Sequence, residues 1–497
     1  MSNESATASG SPGKVHITEE PLIVDATLPT PLIAPSLSKG DASSIKIEEA
    51  CPTAEDISSD YNALTHRQRA TLLFFASCAA TISPASSTTY FPAITSLARD
   101  LQVSVSLINL TISVYQIFQG LAPSVTAAFS DRYGRRPAYI ICFVINFGAN
   151  LGLALQNSYT SLMVLRCLQS SGSSGTVALA QAVLDDVTTS EQRGKYMAYL
   201  SIGFIMGPAL GPVIGGLLSQ YLGWRGIFWF LLIFGGRPDG ARGNTVSRDQ
   251  PVHQKKVTGV NPFKSLRILA DRENLILCIY GGLLFAGFSA TTGVFASQLD
   301  ERYHLNQVQA GLCYLPLGFG SILSRWTVGK LIDWNFKREA QRQGVIIVKN
   351  RKQDMSMHDV EKVRLLIAFP MILAMSGFLV AFGWLMQYRA HLAAVLVVGF
   401  LFANMLTGAL VATSALLTDI NVGNGASLGA AMNLVRCLMA AGGVAAITPM
   451  INRIGIGYAA TLMAAIWILA LPPLWLVYKR GYQWRKASLD AIKGGKS

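Results

Sequence analysis

From about position 69 onward the chain is a succession of long apolar stretches separated by short polar turns. A helix rises 1.5 Å per residue, so about 20 apolar residues cross a hydrocarbon core of about 30 Å. Stretches of this kind fall at 69–92, 105–128, 137–156, 160–184, 197–219, 224–236, 273–296, 308–331, 364–386, 391–414, 425–450 and 455–478. They number twelve, six on each side of a basic polar stretch at 237–271. The pattern predicts an all-α membrane protein built from two six-helix halves. The sixth stretch is the exception. Only 13 residues, Trp224 to Gly236, precede Arg237-Pro238-Asp239-Gly240, which is about 20 Å of helix. It reads either as a stub or as the trace of a deletion or splice error. Its ordinary opening (Trp224-Arg225-Gly226-Ile227-Phe228-Trp229-Phe230) favours the second.

The first 65 residues are rich in Ser, Thr, Pro and acidic residues and have no apolar run. They read as a disordered cytoplasmic tail without a signal peptide. The expected organisation is a tail at 1–65, a six-helix half at 66–236, a cytoplasmic loop at 237–271, a second half at 272–478 and a tail at 479–497.

Charge adds an orientation. With the N-terminus in the cytoplasm, the cytoplasmic side collects 33 of the 41 Lys and Arg residues. The opposite side collects Arg99, Arg225, Arg302, Arg389 and Arg453, and only Arg166, Arg325 and Arg436 fall inside spans. This bias places both tails inside. The net charge of +13 therefore does not suggest a nucleic-acid partner, since the cations lie in short runs between apolar stretches. Composition agrees: 51% of residues are hydrophobic and 14% charged, against about 25% charged in soluble domains. The seven cysteines sit mostly in apolar segments with no metal-ligand spacing, so neither a disulfide framework nor a metal site is expected. No Ser/His/Asp set or phosphate-binding loop stands out, and an enzyme is not expected.

Two basic turns echo each other. Asp131 is followed at the fourth and fifth positions by Arg135 and Arg136, and Asp333 likewise by Lys337 and Arg338. A duplicated half explains the pair. Cation-rich interior loops are common, but that alone does not account for the matched aspartates. The first copy, Ala127-Ala128-Phe129-Ser130-Asp131-Arg132-Tyr133-Gly134-Arg135-Arg136, resembles the signature between helices 2 and 3 of the major facilitator superfamily. Asp131, Arg132, Gly134, Arg135 and Arg136 match it, while Ala127, Phe129 and Ser130 depart from it. The resemblance implies that Asp131 faces a helix N-terminus of the opposite half, where the dipole favours a carboxylate, and acts as a gate. Arg135 and Arg136 are candidates to pair with Asp185 or Asp186.

The fourth stretch carries Arg166-Cys167-Leu168-Gln169-Ser170, similar to the superfamily's Arg-x-x-Gln-Gly motif with Ser170 replacing the glycine. An intramembrane arginine is costly and implies a partner or a watery cavity. The resemblance assigns Arg166, with Asp131 and Asp185, to proton coupling; a structurally paired arginine is the plainer reading. The fifth stretch carries Gly207-Pro208, Gly211-Pro212 and Gly215-Gly216, which match the antiporter motif of drug:proton exchangers in that superfamily. Glycines four apart make a flat face for close packing, and the prolines remove backbone donors. A plain packing face would not need Gly-Pro twice.

Leu165–Val177, Asn261–Lys264, Gly282–Gly287 and Asn433–Cys437 resemble fungal twelve-span multidrug exporters of the quinidine-resistance type, and fungal organic-acid exporters share much of the pattern. What the resemblance implies is a proton-driven secondary transporter exporting drugs, toxic compounds or metabolites by alternating access. It would be a monomer in the plasma membrane, partnered by small solutes, protons and lipid and using no cofactor. Organic-acid or secondary-metabolite export is an alternative. A non-transporting sensor or defective paralogue is a third, suggested by the short sixth stretch. Arg436, with Asn433 one turn earlier, and Tyr115 are the substrate-binding candidates; helix packing explains Tyr115 equally well. Arg325 beside Trp326 suggests a cation–π or snorkelled placement. No acidic residue lies deep in a span, which leans the substrate toward neutral or anionic.

Overall fold

The computed structural model describes residues 66–187, 193–235, 268–342, 360–421 and 425–494, and the expected N-terminal tail and most of the central loop lie outside them. The described residues are helical with no strand, and seven helices are long and apolar enough to cross a membrane. In the first half these elements are α1 (His66–Thr88), the short α2 (Ile94–Asp100), α3 (Val105–Tyr133), α4 (Arg135–Leu155), α5 (Tyr159–Val187), α6 (Arg193–Leu222) and α7 (Trp224–Gly235). In the second they are α8 (Arg272–Tyr303), the short α9 (Gln307–Leu312), α10 (Tyr314–Arg342), α11 (Val360–Gln387), α12 (Leu392–Ile420), α13 (Gly425–Ile454), α14 (Ile456–Leu469) and α15 (Leu471–Gly494).

Local chemistry sets the boundaries. Ser104 caps α3 by accepting from the Leu107 N–H, and Asn306 and Gln309 form a reciprocal capping box on α9. Gly134 ends α3 at φ +94°, a conformation that side chains rarely adopt, so the chain turns at once into α4. The helix pair α14–α15 breaks at Ala470, before Pro472 and Pro473. Large apolar side chains such as Val144 and Val397 stay exposed around the bundle, the surface expected of a protein whose solvent is lipid.

Two helix lengths bear on the expected organisation. The helix α15 runs to Gly494, through most of the segment expected to be a tail. The helix α7 has only 12 residues, about 18 Å, so its described part does not span, as its sequence indicated.

The apolar core is divided unevenly. One cluster joins both halves, with Tyr90, Ile94 and Ile108 from the first and Phe295, Tyr314 and Ile447 from the second. It lies at the end away from the basic turns. Toward the basic end the second half has its own cluster around Leu284, Leu365 and Phe402. The first half has two small ones, around Ala180 and Leu184 and around Ala138 and Leu179. The halves therefore share a core at the far end and keep separate cores at the basic end.

Candidate functional site

The centre of the first half is Arg166 of α5, with 0% of its surface exposed. Its Nη1 donates to Gln169 Oε1 at 2.7 Å and to the Ser86 carbonyl at 3.4 Å. Its charge is met by aromatic faces: the guanidinium carbon lies 4.0 Å from the Tyr90 ring centroid and 4.6 Å from that of Tyr115. Nε and Nη2 are buried without a hydrogen-bond partner among the described residues. Gln169 continues the network by donating to Asn150 Oδ1 at 2.8 Å, and Asn150 donates to the Asn146 carbonyl at 2.8 Å. The partner implied for an intramembrane arginine is thus a pair of π systems and a string of amides. Tyr115 does not line an open cavity. It is fully buried, its hydroxyl bonded to the Ser83 carbonyl and to Ser173, and its ring supports Arg166.

The Gly-Pro repeat of α6 lies in a seam with two sides. Toward α1, a Cβ on Gly207 would stand 2.8 Å from Pro84 Cβ, and Cβ atoms on Gly211 and Gly215 would collide with Thr88 and the Thr89 carbonyl. Toward the second half, a Cβ on Gly311 would stand 2.5 Å from the Pro212 carbonyl, one on Gly318 would stand 2.7 Å from Ala209 Cβ, and one on Gly216 would strike the Gln307 carbonyl. Backbone approaches backbone between α6 and α9 because Gly216 on one helix and Gly311 on the other carry no side chain at the crossing. Pro208 is half-buried and Pro212 buried. The seam is closed further by Gln307 donating to Ser96 Oγ and by the Val308 N–H donating to Gln220 Oε1.

A second seam joins α3 to α13. Asn109 donates to Thr448 Oγ1 at 2.6 Å, and Asn433 donates to the Gln119 carbonyl at 3.2 Å. Arg436, one turn from Asn433, turns into its own half, where Nη2 donates to Ser414 Oγ of α12 at 2.6 Å. Its Nε is buried without a partner among the described residues. The two candidates therefore divide, Asn433 stitching the halves and Arg436 presenting a cation between α12 and α13.

At the basic end Arg135 joins three residues. It donates to Asp131 Oδ1 at 2.7 Å, to Ser130 Oγ at 2.8 Å and to Asp186 Oδ2 at 2.9 Å. Of the two expected aspartate partners Asp186 is the one seen; the Asp185 side chain lies outside the described residues, and Arg132 and Arg136 are exposed. The observed bond of Asp131 is thus within its own half. The echo around Asp333 needs correction. These residues do not form a turn, because α10 runs through them to Arg342. The reason is local: Phe336 stands where the first copy has Gly134, so nothing breaks the helix. Arg338 packs over the Trp334 ring, and the side chains of Asp333 and Lys337 lie outside the described residues. The counterpart of Arg135–Asp186 is instead Arg364–Asp419, an ion pair at 3.0 Å between the first turn of α11 and the last turn of α12. The cation over Trp326 is Lys330 rather than Arg325.

The sequence reading missed Asn109, Gln119, Asn146, Asn150, Arg364 and Asp419. Polar residues at matched positions of paired spans were the available signal, but pairing is not visible along one chain.

With this geometry in place, comparison with known proteins gives one consistent answer. The family model described as Major Facilitator Superfamily matches residues 76–444. The chain is 60% identical over 467 residues to the MFS-type transporter R5 of Phoma sp. (strain ATCC 20986 / MF5453), covering 88% of this chain and 89% of that one. It is 57% identical over 512 residues to the MFS-type transporter clz19 of Cochliobolus lunatus, covering 94% and 97%. Citrate exporter 1 of Aspergillus niger is 32% identical, covering 94% and 96%. Each alignment is longer than the part of this 497-residue chain it covers, so segments of these relatives have no counterpart here. The match over most of its length, with the two stitched helical halves, makes the chain a member of the Major Facilitator Superfamily: a multi-pass membrane transporter and not an enzyme.

Proposed function

We propose that the protein exports small metabolites or toxic compounds in exchange for protons, alternating between two facings of its halves, in the plasma membrane with both tails in the cytoplasm. The observation that carries this reading is the uneven contact between the halves. They share one apolar core and the glycine–proline seam at the far end, and keep separate cores at the basic end. An exchanger needs one end sealed while the other receives substrate, and a seam of backbone against backbone leaves little room for water or protons. Arg166, ringed by Tyr90 and Tyr115, is the group whose surroundings proton movement would alter.

A second reading, export of an organic acid or acidic secondary metabolite, is favoured by charge. The middle of each described span is free of carboxylates, while Arg436 offers an unpartnered Nε. A carboxylate substrate would complete that arginine with a charge-assisted bond.

Both are tested with purified protein in proteoliposomes, using citrate as the anionic probe and ethidium as the cationic one under an imposed pH gradient. Gradient-dependent accumulation of either supports exchange, and the preferred probe decides the charge class. Flux of both probes that ignores collapse of the gradient would overturn the antiport reading.

A further inference from the structure

A cavity of about 340 Å³ lies beside the glycine–proline seam, at the end away from the basic turns. Small-molecule sites run from about 300 to 1,000 Å³, so it has room for one small ligand. Both halves line it. Thr95, Ser96 and Arg99 come from α2 and Ser219 from the last turn of α6, while Asp300 of α8 and Gln307 of α9 come from the second half. All of these side chains are among the described residues.

The lining holds polar atoms that nothing in the fold satisfies. Ser219 is 5% exposed, and its Oγ has no hydrogen-bond partner among the described residues; Gln307 Oε1 is buried in the same condition. The other end of that amide is fixed by Nε2 donating to Ser96 Oγ across the seam, which leaves Oε1 to accept. A buried polar atom left unpaired is costly, and a bound ligand would remove the cost. Two charges complete the lining, Arg99 from one half and Asp300 from the other. Among the described residues neither side chain forms an ion pair or a hydrogen bond. Their charged neighbours are engaged: Asp100 accepts from Trp224 Nε1 at 2.8 Å, and Arg302 donates to Gln298 Oε1 at 2.9 Å.

We infer that this cavity binds a small zwitterion of the amino-acid class. Its carboxylate pairs with Arg99. Its ammonium group has three N–H donors, and Asp300, Gln307 Oε1 and Ser219 Oγ are the acceptors that meet them. Charge-assisted hydrogen bonds of this kind are the strong ones. A ligand held by both halves binds only where they are joined, so by linkage it favours the state in which the far end is shut. It acts there as a brake on transport. As a ligand site the cavity is independent of the antiport reading; its effect as a brake rests on the two facings proposed above.

The test is equilibrium binding of radiolabelled L-glutamine to the full-length protein in lipid nanodiscs. The expected result is saturable binding that weakens about tenfold or more in Arg99→Gln and in Asp300→Asn. Arg99 is exposed, so its variant keeps the fold. Glutaramate, which lacks the ammonium group, and γ-aminobutyramide, which lacks the carboxylate, should each compete about tenfold more weakly than unlabelled glutamine, and D-glucose should not compete. No saturable binding, binding unchanged in both variants, or competition by glucose as strong as by glutamine would overturn the site. Native Cys313 reads the brake. It is 6% exposed and belongs to the core that the two halves share, so a maleimide reaches it only when they part. L-glutamine should slow its labelling, followed by mass spectrometry, several-fold in the wild type and not in Arg99→Gln. Intact binding with unchanged labelling defeats the brake and leaves the site standing. A Cys313 that is never labelled defeats the two facings instead.

Discussion

The Arg166 guanidinium carbon lies 4.0 Å from the centroid of the Tyr90 ring, in the interior of a lipid-facing bundle. A second ring, Tyr115, lies 4.6 Å away, so the cation is held by π faces and amides. Desolvated cation–π contacts contribute about 2 kcal/mol or more. A double-mutant cycle of Arg166→Gln and Tyr90→Leu, followed by denaturant unfolding in micelles, is expected to give a coupling of about 1–2 kcal/mol. Additive effects would show that the ring does not hold the charge.

Valine in place of Gly311 forces a branched side chain toward the Pro212 carbonyl, where even a Cβ has only 2.5 Å. The seam then opens. Proteoliposomes bearing Gly311→Val should leak protons several-fold faster than wild type, while Gly377→Val, at a glycine with nothing within 4 Å, should not. Equal leaks in the two would remove the sealing role.

Arg135–Asp186 and Arg364–Asp419 tie corresponding helix ends in the two halves. Both pairs are partly exposed, so each is worth no more than about 1 kcal/mol of stability. Arg364→Ala is therefore expected to leave the melting temperature nearly unchanged and to raise labelling of cysteines placed near the basic end. The exchange Arg364→Asp with Asp419→Arg should bring labelling back toward wild type.

Removing the Arg436 guanidinium discriminates between substrate classes. A charge-assisted hydrogen bond is worth about 1.5–3 kcal/mol, roughly a ten- to hundredfold change in affinity. Arg436→Gln should raise the KM for an anionic substrate by that factor and leave the transport of a cationic one unaffected. An unchanged KM for the anion would exclude Arg436 from binding it.

The 12 residues of α7 fall short of a span, and the relatives carry segments with no counterpart in this chain. Transcript sequencing across the codons for residues 230–260 is expected to reveal a longer form with an apolar continuation of this helix. If the short form is the sole transcript, restoring a full span by insertion should raise surface expression.

Much of this was legible in one dimension. Apolar runs mark the spans because each helix must satisfy its own backbone in lipid. Gly134 marks the turn before α4, and the spacing of Gly207, Gly211 and Gly215 marks a packing face; these are properties of short segments. Long-range partners were not legible. Arg166 declared a need for compensation without naming Tyr90 and Tyr115, and the echo at Asp333 suggested a turn that an intact helix denies. Arg364 and Asp419 are 55 residues apart, and Glu361 and Arg485 are 124 apart. Local periodicity carries no trace of such pairs. The sequence by itself determined that the chain lives in a bilayer, with its basic turns on one side. Which polar groups meet inside it, and which end of the bundle is shut, depended on how the two halves dock, and only the tertiary structure decided that.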